Sequence, residues 1–152
     1  MSYSEADARQ QLLDALGEAT DHLGRALAAL GGAYEQLDDA QGERLEQQLF
    51  LPVQRAYGRA RRTYLEFASR YRLSERSFEM PSPGVPSTGV RGFIEGALDA
   101  VEAADLELVA LQDSSIAIQV GDTELRAGLS EIRRILDGLS QHARTFLRSF
   151  GR

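Results

Sequence analysis

The sequence predicts an all-α protein, folded as an up-down-up-down four-helix bundle that forms a single domain over residues 1–152. The first observation is that apolar residues recur at alternating three- and four-residue steps in four long stretches, as on one face of a helix. The second is that three of the four prolines, which interrupt helices, fall within residues 80–89, in the longest segment without this period. We expect helices over about 4–37, 40–72, 88–113 and 122–150, and a linker over about 73–87.

The first predicted helix begins at a capping-box pattern, in which Ser2 is followed three residues later by Glu5. Its apolar stripe consists of Leu16, Leu23, Leu27, Leu30, Tyr34 and Leu37. Gly31 and Gly32 interrupt the helix near its end, where each glycine costs about 1 kcal/mol relative to alanine. This pair predicts either a kink or the close approach of another helix.

The second predicted helix has a strictly regular apolar stripe. Its members are Phe50, Val53, Tyr57, Ala60, Tyr64, Phe67 and Tyr71. Because the tyrosines share this stripe with the phenylalanines, we expect their rings in the core and not on a surface that stacks nucleic-acid bases. Pro52 has no amide hydrogen and clashes with the preceding turn, which predicts a kink or break in this helix.

The third and fourth predicted helices follow clear start signals. Ser87 or Thr88 has the position of the N-cap of the third helix, and Asp122 has that of the fourth. Short connections between helices favour antiparallel neighbours, whereas the long linker is compatible with an adjacent return or a diagonal crossover. We predict the up-down-up-down order.

The segment between the third and fourth helices has a different pattern. Ile116, Ile118 and Val120 alternate with smaller or polar residues, as in an extended strand. We expect this strand to cross one end of the bundle with its apolar side on the core. The alternative is that it pairs with a copy of itself in another chain.

Catalytic and metal-binding patterns are missing from the sequence. A carboxylate-bridged dimetal site in a helical bundle needs Glu-x-x-His motifs on two helices, and the chain has none. His22 and His142 are the only histidines, and no Gly-x-Ser-x-Gly motif marks a serine nucleophile. Glu102 and Asp105 share a helix face, but we expect both on the solvated surface. We therefore expect no enzyme activity, no metal and no cofactor.

The basic residues are distributed unevenly. All 17 are arginines, and seven of them fall within residues 55–76 in a chain of net charge −6. Most of these side chains point outward on the predicted second helix, which makes several of them candidates for contact with an anion or a partner. The candidates are Arg55, Arg59, Arg62, Arg72 and Arg76. The acidic composition favours pairing with the protein's own carboxylates over binding of phosphate groups.

Some apolar residues lie beside the main stripes and widen them beyond what a bundle seam requires. They are Leu12, Leu13, Leu106, Val109 and Leu147. This surplus predicts a non-enzymatic interaction protein that docks a protein partner or a second copy of itself. The alternative is an anion-binding module, for nucleic acid or anionic lipid, that uses the arginines of the second helix; nucleic acid is the less favoured partner.

Composition also suggests a setting for the protein. The chain has no cysteine, as is common in a reducing cytoplasm, and it has neither lysine nor asparagine, which is typical of GC-rich bacterial coding. No basic segment followed by an apolar stretch opens the sequence, and no window approaches the roughly 20 apolar residues of a membrane span. We expect a cytoplasmic protein that does not insert into membranes.

Overall fold

A computed structural model describes residues 4–150, and all the regular structure in that range is helical. The α-helices are α1 (Glu5–Tyr34), α2 (Asp39–Leu45), α3 (Leu51–Tyr71), α4 (Gly89–Asp113), α5 (Ser115–Val120), α6 (Thr123–Leu136) and α7 (Leu139–Phe150). A π-helical turn, Glu46–Phe50, joins α2 to α3, and a 3-10 turn, Pro86–Thr88, precedes α4. The predicted all-α class is confirmed. Within residues 4–150, five helices have twelve or more residues, so the expected count of four is wrong.

The helices do not follow the expected up-down-up-down order. Helix α1 lies antiparallel to α3, because Gly17 faces Tyr64 and Gly24 faces Tyr57. It is also antiparallel to α4, whose first turns lie against the last turn of α1, where Gly32 packs on Phe93. Helices α3 and α4 therefore run in the same direction. Helix α6 runs antiparallel to both, which makes the order up-down-down-up.

The linker explains this order. At one end Gln10 exchanges two hydrogen bonds of 2.9 Å with the backbone of Ser74, and at the other Gln36 donates to the Pro86 carbonyl at 2.8 Å. Residues 10 and 36 are roughly 39 Å apart along a helix, and the twelve residues from 74 to 86 reach about 40 Å when extended. Residues 72–85, which we call the strap, thus run the length of α1 and return the chain to the end where α3 began.

Pro52 widens the second helix without breaking it. The amide of Leu51 donates to the carbonyl of Glu46, five residues earlier, as in a π-helix. The wider turn accommodates a proline ring that would clash with the carbonyl four residues before it. The predicted break at Pro52 is wrong, because the irregularity there is a π-helical turn inside a continuous helix.

The predicted fourth helix is divided at Gly138. Asp137 is extended, with ψ of 134°, and Gly138 has φ of +79°, in the left-handed region that glycine tolerates best. Helix α6 ends there and α7 continues in the same direction along α4, where Arg91 donates to the Leu147 carbonyl at 3.3 Å. The single helix predicted over 122–150 is therefore wrong, and the break leaves a gap beside α4.

The segment predicted as a strand is the helix α5. Ser114 caps it by accepting a hydrogen bond from the Ile116 amide at 3.1 Å, and Ala117 and Val120 are buried. A lone strand would leave its backbone amides and carbonyls unpaired, whereas a helix satisfies them internally. Because α5 is helical, Ile118 faces away from the core and is 71% exposed.

The predicted helix starts are confirmed in part. Asp122 caps α6 by accepting from the Leu125 amide at 2.8 Å. Neither Ser87 nor Thr88 caps α4 with its side chain, because the 3-10 turn leads directly into that helix. Ser4 caps α1, and Ser2 lies outside the described residues. At Gly32 an added Cβ would lie 2.9 Å from the Phe93 ring, so the close helix approach is confirmed.

Candidate interaction surface

Arg59, one of the predicted surface contacts, points toward α6. Its Nε donates to Glu131 Oε2 at 2.9 Å, and its Nη1 donates to the buried Thr63 hydroxyl at 3.1 Å. The hydrogen bond and charge of Arg59 lower the pKa of Glu131. Arg59 thus stabilises the contact between α3 and α6 and is not free to bind an external anion.

Arg76 is exposed, but it is paired within the chain. Its Nη2 lies 2.8 Å from Asp21 Oδ2 of α1, and its guanidinium lies over the Phe78 ring. The hydrogen bond to Asp21 raises the pKa of Arg76 despite the opposing effect of burial. The Arg76 amide also donates to the Tyr64 hydroxyl at 3.0 Å. These contacts hold the strap against α1 and α3.

Arg55, Arg62 and Arg72 are exposed to solvent. Arg62 lies 3.7 Å from Glu66 on the same helix, an ion-pair type that contributes little at the surface. Arg55 and Arg72 have no ion-pair partner among residues 4–150. Arg72 sits at the left-handed end of α3, with φ of 54°. The five predicted arginines therefore do not form one continuous basic ridge.

A partly buried polar cluster at the C-terminal end of α3 was not predicted. Asp122 accepts two hydrogen bonds from Arg70 and one from the Tyr71 hydroxyl at 2.8 Å. Arg9 of α1 lies over the Tyr71 ring at 4.1 Å and donates to the Val120 carbonyl. Sequence reasoning identified Asp122 only as a cap, because its partners come from helices far apart in the chain.

The ionisation of this cluster follows from its contacts. Burial raises the pKa of Asp122, but the hydrogen bonds from Arg70, the Leu125 amide and Tyr71 outweigh it, so the net pKa is lowered. The hydrogen bond to the Asp122 carboxylate, together with burial, raises the pKa of Tyr71. The cluster joins α1, α3 and α6. We assign it a structural role.

Three of the five predicted interface residues are buried within the chain. Leu12, Leu13 and Leu147 are 3%, 0% and 7% exposed, so they belong to the core and their prediction as interface residues is wrong. Helix α5, which was not predicted, packs against α1, the helix that contains Leu12 and Leu13. Val109 is half-buried, and Leu106 is 71% exposed.

Leu106 lies in an open groove between α4 and the junction of α6 with α7. The groove has a volume of about 820 Å³. Its floor contains the buried side chains of Val101 and Leu136, and Gly138 lies at its edge. The gap between α6 and α7 creates this space, since an unbroken helix would lie along α4. We call this hollow the Leu106 groove.

The two walls of the Leu106 groove carry opposite charges. The α4 wall holds Glu102 and Asp105, and the facing wall holds Arg133, Arg134 and Arg144. Arg133 crosses the groove to Asp105 at 3.1 Å. Glu102, Asp137, Arg134 and Arg144 have no ion-pair partner within residues 4–150, although all line the same groove.

The chemistry of the groove suits recognition of a protein surface. Amphipathic helices commonly bind in grooves that have an apolar floor.

His22 and His142 lie outside the groove, and the described residues contain no group of three or more His, Cys, Asp or Glu side chains suited to a metal. Between residues 4 and 150, no helix has both the length and the apolar character to cross a bilayer.

Comparison with known proteins does not assign the groove. The sequence matches no family model, and neither curated proteins nor solved structures give a significant match.

Proposed function

We propose that this protein is a non-enzymatic interaction module that binds a helical protein surface in the Leu106 groove. The observation that carries the proposal is Leu106 itself, a large apolar side chain that is 71% exposed above an apolar floor. Burying a leucine fully contributes about 1.5–3 kcal/mol. A partner that covers Leu106 and fills the groove gains that contribution. Its own charged side chains can also pair with the unpaired charges on both rims.

Other exposed apolar side chains lack this setting. Val85 is 63% exposed but lies in the strap, and Ile118 faces a smaller hollow of about 190 Å³ beside Arg126. Single exposed apolar residues are common on soluble proteins and need no function. Leu106 differs because an apolar floor, opposite rim charges and an open volume coincide around it.

A bacterial, cytoplasmic setting belongs to the same proposal, since a chain without cysteine suits a reducing compartment.

The experiment replaces Leu106 with the photoreactive residue p-benzoylphenylalanine in cells that produce the protein. Irradiation should give a discrete covalent adduct, because a bound partner holds its side chains against position 106. The same residue in place of Val85 is the matched control, as both side chains are similarly exposed. Absence of any adduct at position 106, or equal adducts at both positions, would contradict an interaction site in the groove.

Anion binding by the arginines of α3 is the weaker alternative. Arg59 and Arg76 lie against Glu131 and Asp21, so their charges are already compensated. Arg55 and Arg62, two turns apart on one face of α3, remain at the surface, and Arg72 lies just beyond the end of that helix. This geometry favours the interaction module over a phosphate-binding surface.

A further inference from the structure

The two sides of the Leu106 groove belong to helices of opposite net charge. Helix α4 contains six acidic residues and one arginine, whereas α6 and α7 together contain five arginines and two glutamates. The groove therefore separates an acidic helix from a basic pair of helices. A ligand of one sign would be attracted by one wall and repelled by the other. The occupant that fits both walls carries an acidic side and a basic side of its own.

The walls leave much of this charge uncompensated within the chain. Arg133 and Asp105 form the ion pair that crosses the groove. Glu102 on one rim and Arg144 on the other have no ion-pair partner among residues 4–150. Polar contacts also link α4 to α6 at Gln112, which donates to Ser130 at 3.3 Å and accepts from Arg133 at 2.9 Å. These polar contacts hold α4 against α6, and the groove beside them is open toward solvent.

We infer that the occupant of the Leu106 groove is a second copy of this chain, bound about a two-fold axis. This inference rests on the proposed function and specifies the partner. A two-fold axis through the groove sets the acidic α4 of each copy against the basic α6–α7 of the other, so every contact occurs twice. It also brings the Leu106 side chains of both copies to the centre, where each covers the apolar floor of the other. Opposite charges at the rims then fix the orientation.

The first experiment measures the mass of the purified full chain in solution by light scattering at protein concentrations from about 1 µM to about 1 mM, a range that includes weak and moderate association. The expected result is a dimer that dissociates on dilution. Leu106→Asp should raise the dissociation constant at least about tenfold, because a charge would be buried at the centre. Val85→Asp is the control and should leave it unchanged.

A charge exchange tests the two-fold arrangement. Glu102→Arg places an arginine at both of these rim positions, and Arg144→Glu places a glutamate at both, so each variant alone should associate more weakly than the wild type. Mixed in equal amounts, the variants should form a heterodimer, because in both contacts an arginine then opposes a glutamate. Both positions are exposed, and circular dichroism should show that both variants keep the helical fold.

The outcomes separate this inference from the proposed function. A wild-type chain that stays monomeric up to about 1 mM, or variants that do not recover association on mixing, would overturn the two-fold dimer. If position 106 still gives a crosslink in cells, to a protein of another mass, the groove remains an interaction site with a different partner. If position 106 gives no crosslink, the proposed function fails as well.

Discussion

Arg70 and Asp122 are joined by two hydrogen bonds, 2.7 Å from Nε to Oδ2 and 2.9 Å from Nη2 to Oδ1. The pair connects the last turn of α3 to the first turn of α6, and the same carboxylate caps α6 and accepts the Tyr71 hydroxyl. One side chain thus satisfies four donors from two helices. Hydrogen bonds of this kind, to a charged acceptor, are stronger than neutral ones.

Asp122→Ala should destabilise the protein by about 2–3 kcal/mol, since it removes both the cap and the hydrogen bonds to Arg70 and Tyr71. Asp38→Ala is the matched control, because Asp38 caps α2 through the Gln41 amide at 2.8 Å and makes no ion pair with any residue from 4 to 150. Its expected loss is about 1 kcal/mol. Urea unfolding measures both free energies. Equal losses for the two variants would show that the Arg70 pair contributes nothing beyond the cap.

The lowered pKa of Asp122 predicts a pH dependence with a definite sign. A carboxyl whose folded pKa lies below its unfolded value of about 3.9 stabilises the folded state above that value, and this contribution is lost as pH falls through the folded pKa. The difference in unfolding free energy between wild type and Asp122→Asn should therefore be constant between about pH 7 and pH 5 and shrink below about pH 4. A difference that persists unchanged at about pH 2 would mean that the charge of Asp122 is not its source.

Gly128 allows α6 to approach α3, because a Cβ added there would overlap the buried Thr63 side chain. Gly128→Ala should destabilise the protein by about 1–3 kcal/mol, although alanine is the better helix former. Gly96→Ala is the control, since nothing lies within 4 Å of its added Cβ, and it should stabilise the protein by up to about 1 kcal/mol. Adding Thr63→Ala to Gly128→Ala should recover part of the loss. Thermal unfolding that ranks the two glycine variants the other way would refute this packing.

Arg76→Ala should loosen the strap, because Arg76 links it to Asp21 of α1 and packs on Phe78. We expect faster amide hydrogen exchange and faster proteolysis within residues 72–85. Global stability should fall by no more than about 1 kcal/mol, since the pair is partly exposed. Arg72→Ala serves as the control, because Arg72 is exposed and has no ion pair within the described part of the chain. This variant should leave the cleavage rate of the strap near that of wild type.

Low affinity for polyanions is expected, because Arg59 and Arg76 are paired internally. Titration with single-stranded RNA and with anionic vesicles at low salt should show weak binding or none. The opposite result would be tight binding that weakens steeply as salt rises. If the triple change of Arg55, Arg59 and Arg62 to Ala then flattened that slope, the anion-binding alternative would replace the proposed function.

Helix positions and most core residues could be predicted from the sequence, because the 3.6-residue period is a local property of the chain. The stripe from Val53 to Phe67 is buried as expected, and Tyr57 and Tyr64 lie in the core. The start of α6 at Asp122 was also predictable, since a cap needs only a neighbouring amide. Leu106 was identified as a surplus apolar residue because its position on α4 lies beside the main stripe.

The features that failed to follow from the sequence depend on which elements meet in space. Residues 115–120 alternate like a strand, yet they are helical because no other strand pairs with them. Leu12, Leu13 and Leu147 lie beside the stripes, yet neighbouring elements enclose them. The division at Gly138 rests on one left-handed glycine within an otherwise continuous pattern, and glycine is compatible with several conformations.

The sequence by itself determined the all-α class, the approximate limits of the helices, the disturbance at Pro52 and the location of most of the core. Each of these follows from residues within one or two helical turns of each other. Only the tertiary structure decided the up-down-down-up order and the Leu106 groove. It also decided the ion pairs that Arg59 forms with Glu131 and Arg76 forms with Asp21. The order depends on the strap spanning α1, and the groove depends on α6 and α7 separating beside α4. These are relations between surfaces distant in sequence, which no local period encodes.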